Sequence, residues 1–130
     1  MATTYKVVYK NHCVPQEQIA SGGKYYLDSD CGRKLTGSSE TTATLAGTGV
    51  FTSDTTVTTS ATSIASSKDF VFVKNTGGTD VLISLTTDAT AKYVIILSQG
   101  EAFASEIHTS ANVRVKTASG TSTVDYFTVT

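Results

Sequence analysis

FVFVKNTGGTDVLISLTTDATAKYVIIL (70–97) is the stretch of sequence that decides the fold. It contains three apolar segments, 70–73, 81–85 and 93–97, which are separated by Asn, Gly, Thr and Asp residues. Each segment is rich in β-branched and aromatic residues and is too short for a helix, which favours buried strands. We therefore predict that the core forms here, and we expect partner contacts to lie elsewhere, in residues 1–67 and in the loops.

The same pattern continues to the C-terminus. Strands are predicted, about ten residues apart, at 69–74, 80–86, 92–97, 101–107, 112–117 and 123–129. This spacing is typical of an antiparallel sandwich or barrel, so the predicted fold class is an all-β antiparallel β-sandwich of the jelly-roll or Ig-like type. Segments 70–73 and 93–97 are apolar on both faces, which predicts that they are central in a sheet or covered by another layer.

Glycine-containing turns separate these strands. The sequence from Asn75 to Gly78 predicts a hairpin with residues at positive φ. Gly100 suits the position of a tight turn that needs positive φ, and 118–121 predicts a further turn.

The N-terminal half is less regular and rich in Thr and Ser. Residues 4–10 alternate apolar and polar side chains, which predicts a strand with one wet face. A helical turn is predicted at 15–20 and a short strand at 24–27. Residues 36–67 are either a flexible linker or include a Thr-rich edge strand. We expect 1–67 to be an arm or partial β region packing on the core or on neighbouring subunits, and 68–130 to be the sandwich core, within one domain.

Composition narrows the classes of partner. The 130 residues carry a net charge of -1, and only 16% of them are charged, against a usual share of about 25%. The basic residues are scattered, which argues against a nucleic-acid partner. No apolar run is long enough to span a membrane, and no signal-peptide pattern precedes the first predicted strand. The weakly charged, Thr-rich surface resembles that of extracellular β proteins and virus shells.

The two cysteines, Cys13 and Cys31, have three interpretations. Free thiols are the default without a secretory signal, and a disulfide formed after release is an alternative. His12 with both cysteines could supply zinc ligands, but the sequence lacks the usual paired-cysteine spacing. Asp28 and Asp30 are typical of a turn and lack the further acids of a calcium loop. We predict no metal site and no cofactor.

Catalytic patterns are weak. His12 and Cys13 are adjacent, so their side chains point to opposite faces of a strand. His108 ends a strand and is expected to face solvent or cap a turn. Glu101 and Glu106, five residues apart in one predicted strand, are expected on opposite faces, which does not suit paired-carboxylate chemistry. We predict that the protein is not an enzyme.

A sugar-binding module is an alternative function, because many such modules are β-sandwiches. Sugar sites use exposed aromatic rings, and the candidates are Tyr25 and Tyr26, with Tyr93 as a third. A Tyr pair beside a Gly-Gly turn more often packs one ring and hydrogen-bonds the other hydroxyl.

Three segments of the second half carry a family resemblance. FVFVKNTGGTDVLISL (70–85), LSQGEAF (97–103) and VRVKTASGTSTVDY (113–126) resemble small virion proteins of tailed bacteriophages. The match covers about residues 68–130, and residues 1–67 match no family. The resemblance implies a β-sandwich that decorates a capsid or sits on the neck or tail as an oligomer, and it carries over no catalytic residues.

The resulting prediction is a capsid decoration (cement) protein that stabilises a phage head through multivalent contacts. Its expected partners are the major capsid protein or other virion proteins and further copies of itself, with a trimer favoured, and its expected location is the virion, assembled in the host cytoplasm. A neck, tail or baseplate component is the alternative within the same class.

Overall fold

All regular structure in the described part of the chain is β-strand. The computed structural model describes residues 4–13, 16–18, 25–27 and 37–130. The strands are β1 (Thr4–Cys13), β2 (Gln16–Gln18), β3 (Tyr25–Leu27), β4 (Gly37–Ala46), β5 (Gly49–Val57), β6 (Thr62–Ser66), β7 (Phe70–Asn75), β8 (Val81–Thr86), β9 (Tyr93–Leu97), β10 (Ala102–Glu106), β11 (Asn112–Thr117) and β12 (Ser122–Val129). The all-β prediction is confirmed, and the bounds of β7 to β12 differ from those predicted by at most one residue.

Eight of these strands form two four-stranded antiparallel sheets. The first, sheet A, has the order β10-β7-β12-β5, and the second, sheet B, has the order β6-β11-β8-β9. Strand β5 pairs with β12, β6 with β11, β7 with β10 and β8 with β9. These four pairs make one long antiparallel hairpin, with its tip between β8 and β9, rolled into two sheets. This is the jelly-roll arrangement, which decides between the two sandwich types left open by the sequence.

Most turns in this fold pass between the sheets. From β5 to β12 only the β8–β9 connection stays within one sheet. The hairpin predicted at Asn75–Gly78 is therefore wrong, because β7 and β8 lie in different sheets, and neither Gly77 nor Gly78 has positive φ. Gly100 has a φ of 84°, which confirms that turn.

The core lies between the two sheets and consists mainly of aliphatic side chains. Phe103 of β10 and Ile107, which follows this strand, are partly buried and pack against the core. The buried cluster comprises Val57, Ile64, Ala65, Val71, Val73, Val81, Ile83, Leu97, Val113, Val115 and Val124. Val113 and Val115 point inward, while Arg114 and Lys116 lie on the opposite face of β11, as their alternation predicts.

Two of the three apolar segments that decide the fold have different environments. Strand β7 lies between β10 and β12, so its apolar character on both faces is confirmed as that of a central strand. Strand β9 lies at the edge of sheet B, and its outward side chains are exposed. The prediction that 93–97 is central or covered by another layer is therefore wrong for this chain, because β9 has no second neighbour among the described strands.

The sandwich includes two strands that precede residue 68. Strand β5 is the edge of sheet A and β6 is the edge of sheet B. Val57 of β5 and Ile64 of β6 belong to the buried core. The sheets therefore begin at Gly49, and the Thr-rich segment that follows Thr36 contains ordered strands.

The chain divides into two compact units, one formed by residues up to Lys6 and from Thr44 onward, the other by Val7–Ala43. Strand β1 pairs with β4, and β2 pairs antiparallel with β3. In β1, Tyr5, Val7 and Tyr9 are half-buried and alternate with exposed residues, as predicted. The prediction of a helical turn at 15–20 is wrong for the residues of this segment that the structure describes, because Gln16–Gln18 is a strand.

Candidate functional site

The outer face of sheet B carries an apolar strip at its β9 edge. Val94 and Ile96 are 71% and 62% exposed, and they alternate with Ile95 and Leu97, which pack toward the core. Leu82 of β8 is the cross-strand partner of Ile96. We call Leu82, Val94 and Ile96 the β9 strip. Exposed apolar side chains on an unpaired edge strand are typical of a protein-binding surface.

A polar cluster formed by Arg114, Lys116 and Tyr93 adjoins the β9 strip on the same face. Arg114 pairs across the sheet with Ser84, and Ser84 pairs with Tyr93, so the three residues form one row. The Lys116 Nζ atom lies 4.4 Å from the centroid of the Tyr93 ring, a cation–π contact. We call Arg114, Lys116 and Tyr93 the cationic cluster.

The floor of the cationic cluster is Ser84, which is completely buried. Its Oγ atom accepts a hydrogen bond of 2.8 Å from the backbone N–H of Lys92. This bond ties the backbone of the residue that precedes Tyr93 to β8. A register shift in the β8–β9 pairing at this point brings Tyr93, not Val94, opposite Ser84.

Two polar atoms of the cationic cluster lack partners. Arg114 Nη1 and Tyr93 Oη are inaccessible to solvent and make no hydrogen bond with any residue that the structure describes. Within the described ranges the one ion pair joins Lys92 to Asp88, at 3.9 Å between two well-exposed side chains. Neither Arg114 nor Lys116 therefore forms an ion pair with a carboxylate of the described residues.

Sheet A has an aromatic row on its outer face. Phe51, Phe127 and Phe72 are cross-strand neighbours on β5, β12 and β7. Tyr5 packs on Phe127 with ring centroids 6.4 Å apart, and Phe70, also packed on Phe127, is only 1% exposed. The start of β1 thus covers part of this row, whereas Phe51 at the sheet edge remains 63% exposed.

The tyrosines proposed for glycan contact lie in β3. Tyr25 and Tyr26 pair through their backbones with Gln18 and Glu17. Their side chains lie outside the described part of the structure, so this hypothesis stays a prediction. The ring of Tyr93, the third candidate, has Lys116 over one face. The turn around Asp28 and Asp30, together with Cys31 and any pairing with Cys13, also lies outside the described residues.

The remaining candidates from the sequence have local structural roles. His108 Nδ1 accepts the backbone N–H of Ser110 at 3.2 Å and contacts the Ser110 hydroxyl at 2.7 Å, which stabilises the turn after β10. Glu101 precedes β10 instead of lying in the strand, and its carboxylate accepts the backbone N–H of Ser98 at 2.7 Å.

Comparisons with known proteins found no matching family model, no matching curated protein and no matching solved structure. Across the described residues, no group of three or more His, Cys, Asp and Glu side chains is arranged to hold a metal ion. No helix in the described ranges is long and apolar enough to cross a membrane.

Sequence reasoning named one residue of the cationic cluster, Tyr93, as a candidate for sugar contact, and it did not connect this residue with Arg114 or Lys116. It placed 93–97 in the core-forming stretch and assigned no role to Arg114 and Lys116. The alternation in 113–116 places both cations on one side of β11, and that signal was available from the sequence. The position of Tyr93 beside them depends on the pairing of β9, β8 and β11, which a local pattern does not show.

Proposed function

We propose that this protein is a structural component of a tailed-bacteriophage virion, a decoration protein that binds the head and stabilises it. The observation that carries the proposal is the β9 strip, because an apolar strip on an unpaired sheet edge favours a protein partner. The jelly roll, a fold used by viral capsid domains, supports the proposal, as does the resemblance of residues 68–130 to phage virion proteins.

The proposed mechanism is multivalent attachment. Each copy would contribute a modest interface through the β9 strip, and the symmetry of the shell would multiply these interfaces. The proposed partners are the major capsid protein and other copies of this chain, with a trimer as the favoured oligomer. The exposed Phe51 on sheet A offers a second apolar contact at a different strand edge.

The test measures binding of the purified chain to phage heads from which it has been removed. Co-sedimentation with the heads, and greater resistance of the heads to heat, are the expected results. The double variant Val94→Ser/Ile96→Ser should lose at least about tenfold in affinity, because two exposed apolar contacts are removed. Val8→Ser, which removes an exposed apolar side chain from β1, is the matched control and should bind normally.

Copy number separates the two virion locations. A decoration protein should be present at roughly hundreds of copies per particle, and a neck, tail or baseplate component at about a dozen or fewer. Quantitative mass spectrometry of purified particles measures this number. Absence of the chain from the particle would refute the virion proposal, and failure of the purified chain to bind heads would refute the decoration role.

A further inference from the structure

We infer that the cationic cluster of Arg114, Lys116 and Tyr93 is a binding site for an oxoanion, either a carboxylate or a phosphate group. The inference goes beyond the proposed function and does not depend on a virion location. It begins with the arrangement of three donor groups on one face of sheet B.

The three residues lie close together on one face of sheet B although they come from two strands. Arg114 and Tyr93 lie at the ends of a cross-strand row with Ser84 between them, about 10 Å apart at their Cα atoms, or two strand spacings. Lys116 lies two residues from Arg114 and therefore on the same face of β11. Lys116 Nζ is 4.4 Å from the Tyr93 ring centroid, so these two side chains meet across the intervening strand β8.

The cluster has hydrogen-bonding capacity that the described protein groups do not use. Arg114 Nη1 and Tyr93 Oη are both buried and unpartnered in the described part of the chain. A buried polar group without a partner costs about 1–3 kcal/mol, and native proteins usually satisfy such groups with protein, water or an ion. Each of the three residues keeps part of its surface exposed, whereas the two unpartnered atoms are themselves covered, so an anion reaches these atoms only when the side chains move apart.

The chemistry of the donors selects the ligand class. A guanidinium and an ammonium are donors only, and a phenol hydroxyl also donates, so the complementary ligand is an acceptor with negative charge. The planar guanidinium matches the geometry of carboxylate and phosphate oxygens. A bound anion would also offset the repulsion between Arg114 and Lys116, for which no acidic partner is found in the described ranges.

The experiment titrates the full chain with sodium phosphate, sodium sulfate or sodium acetate, and with sodium chloride at matched ionic strength. Binding is followed by NMR through the side-chain signals of Tyr93 and Arg114. Saturable shifts with phosphate or sulfate alone would identify a phosphate-type ligand, and saturable shifts with acetate would identify a carboxylate. Shifts that do not saturate, or that chloride reproduces, would overturn the inference.

Variants locate the site. Arg114→Gln and Lys116→Met should each weaken anion binding at least about tenfold, because each removes one charged donor. Tyr93→Phe removes only the hydroxyl and should weaken binding less, by about threefold. Lys74→Gln, which removes an exposed lysine from sheet A, is the matched control. Equal weakening by Lys74→Gln would show a bulk charge effect and would contradict a defined site. If Arg114→Gln fails to fold, Lys116→Met still tests the inference.

Discussion

At the scale of single residues, Asn75 is the most connected polar side chain in the described part of the sandwich. It is completely buried, yet its amide is fully hydrogen-bonded. Nδ2 donates to the carbonyls of Thr79 and Leu97, and Oδ1 accepts from Gly77 N–H and from the Ser122 hydroxyl. One side chain thus joins the β7–β8 turn to the end of β9 and the start of β12.

Asn75→Ala should lower the free energy of unfolding by about 3 kcal/mol, because it leaves several buried polar groups without partners. Chemical denaturation followed by circular dichroism measures the change. Asn112→Ala, at the half-buried start of β11, is the matched control and should change stability by less than about 1 kcal/mol. Similar losses in the two variants would contradict the role assigned to Asn75.

Gly77 and Gly78 are neighbours with different tolerance for a side chain. A Cβ atom at Gly77 would collide with the Ser122 hydroxyl and lie 2.6 Å from the backbone nitrogen of Thr123, whereas one at Gly78 would meet no atom within 4 Å. Gly77→Ala should therefore destabilise the protein by about 2 kcal/mol, and Gly78→Ala should be nearly neutral. Thermal unfolding of the two variants in parallel checks this, and equal melting temperatures would show that the turn adapts to the extra atom.

At the scale of elements, strands β8 and β9 show how position in the sheet decides how much an apolar side chain contributes to stability. Ile83 of β8 is completely buried in the core, whereas Ile96 of the neighbouring edge strand is largely exposed. Both are isoleucines in strands that pair with each other. Their local sequences do not distinguish them, because the difference comes from the face and the neighbour that each strand has.

Ile83→Ala should cost about 3 kcal/mol of stability, because it removes buried methyl groups and leaves a cavity. Ile96→Ala should cost less than about 0.5 kcal/mol, since a surface side chain is already largely in contact with water. Urea denaturation of the isolated protein gives both values. A large loss with Ile96→Ala in the absence of any partner would mean that the β9 strip is already covered in the free protein.

At the scale of the whole molecule, the jelly roll depends on pairings between strands that are distant in the sequence. The first strand of the roll, β5, pairs with the last strand, β12, and the core contains residues from Val57 to Val124. Most pairings in the sandwich therefore join residues far apart in the chain. A fold of this kind needs all eight strands, because each missing strand exposes the hydrogen-bonding edge of its partner.

A chain of residues 44–130 should fold cooperatively, whereas a chain of residues 68–130 should not. The shorter chain lacks β5 and β6, so β12 and β11 lose their edge partners and the core loses Val57 and Ile64. The longer chain keeps both four-stranded sheets, and it loses the β1–β4 pairing and the packing of Tyr5 on Phe127. Dispersed NMR amide signals and a sigmoidal urea transition identify the folded chain, and a folded 68–130 would disprove the need for β5 and β6.

The amino-acid sequence by itself determined the strands of the second half, because strand formation follows from local alternation, β-branched residues and turn glycines such as Gly100. Only the tertiary structure decided which strand stands at an edge, which turns cross between sheets, and that β5 and β6 complete the sandwich. It also placed Tyr93 beside Lys116, residues 23 positions apart, through the pairing of three strands. The physical reason is that sheet order and register depend on hydrogen bonds between distant segments. A local sequence pattern does not specify which distant segment a strand pairs with.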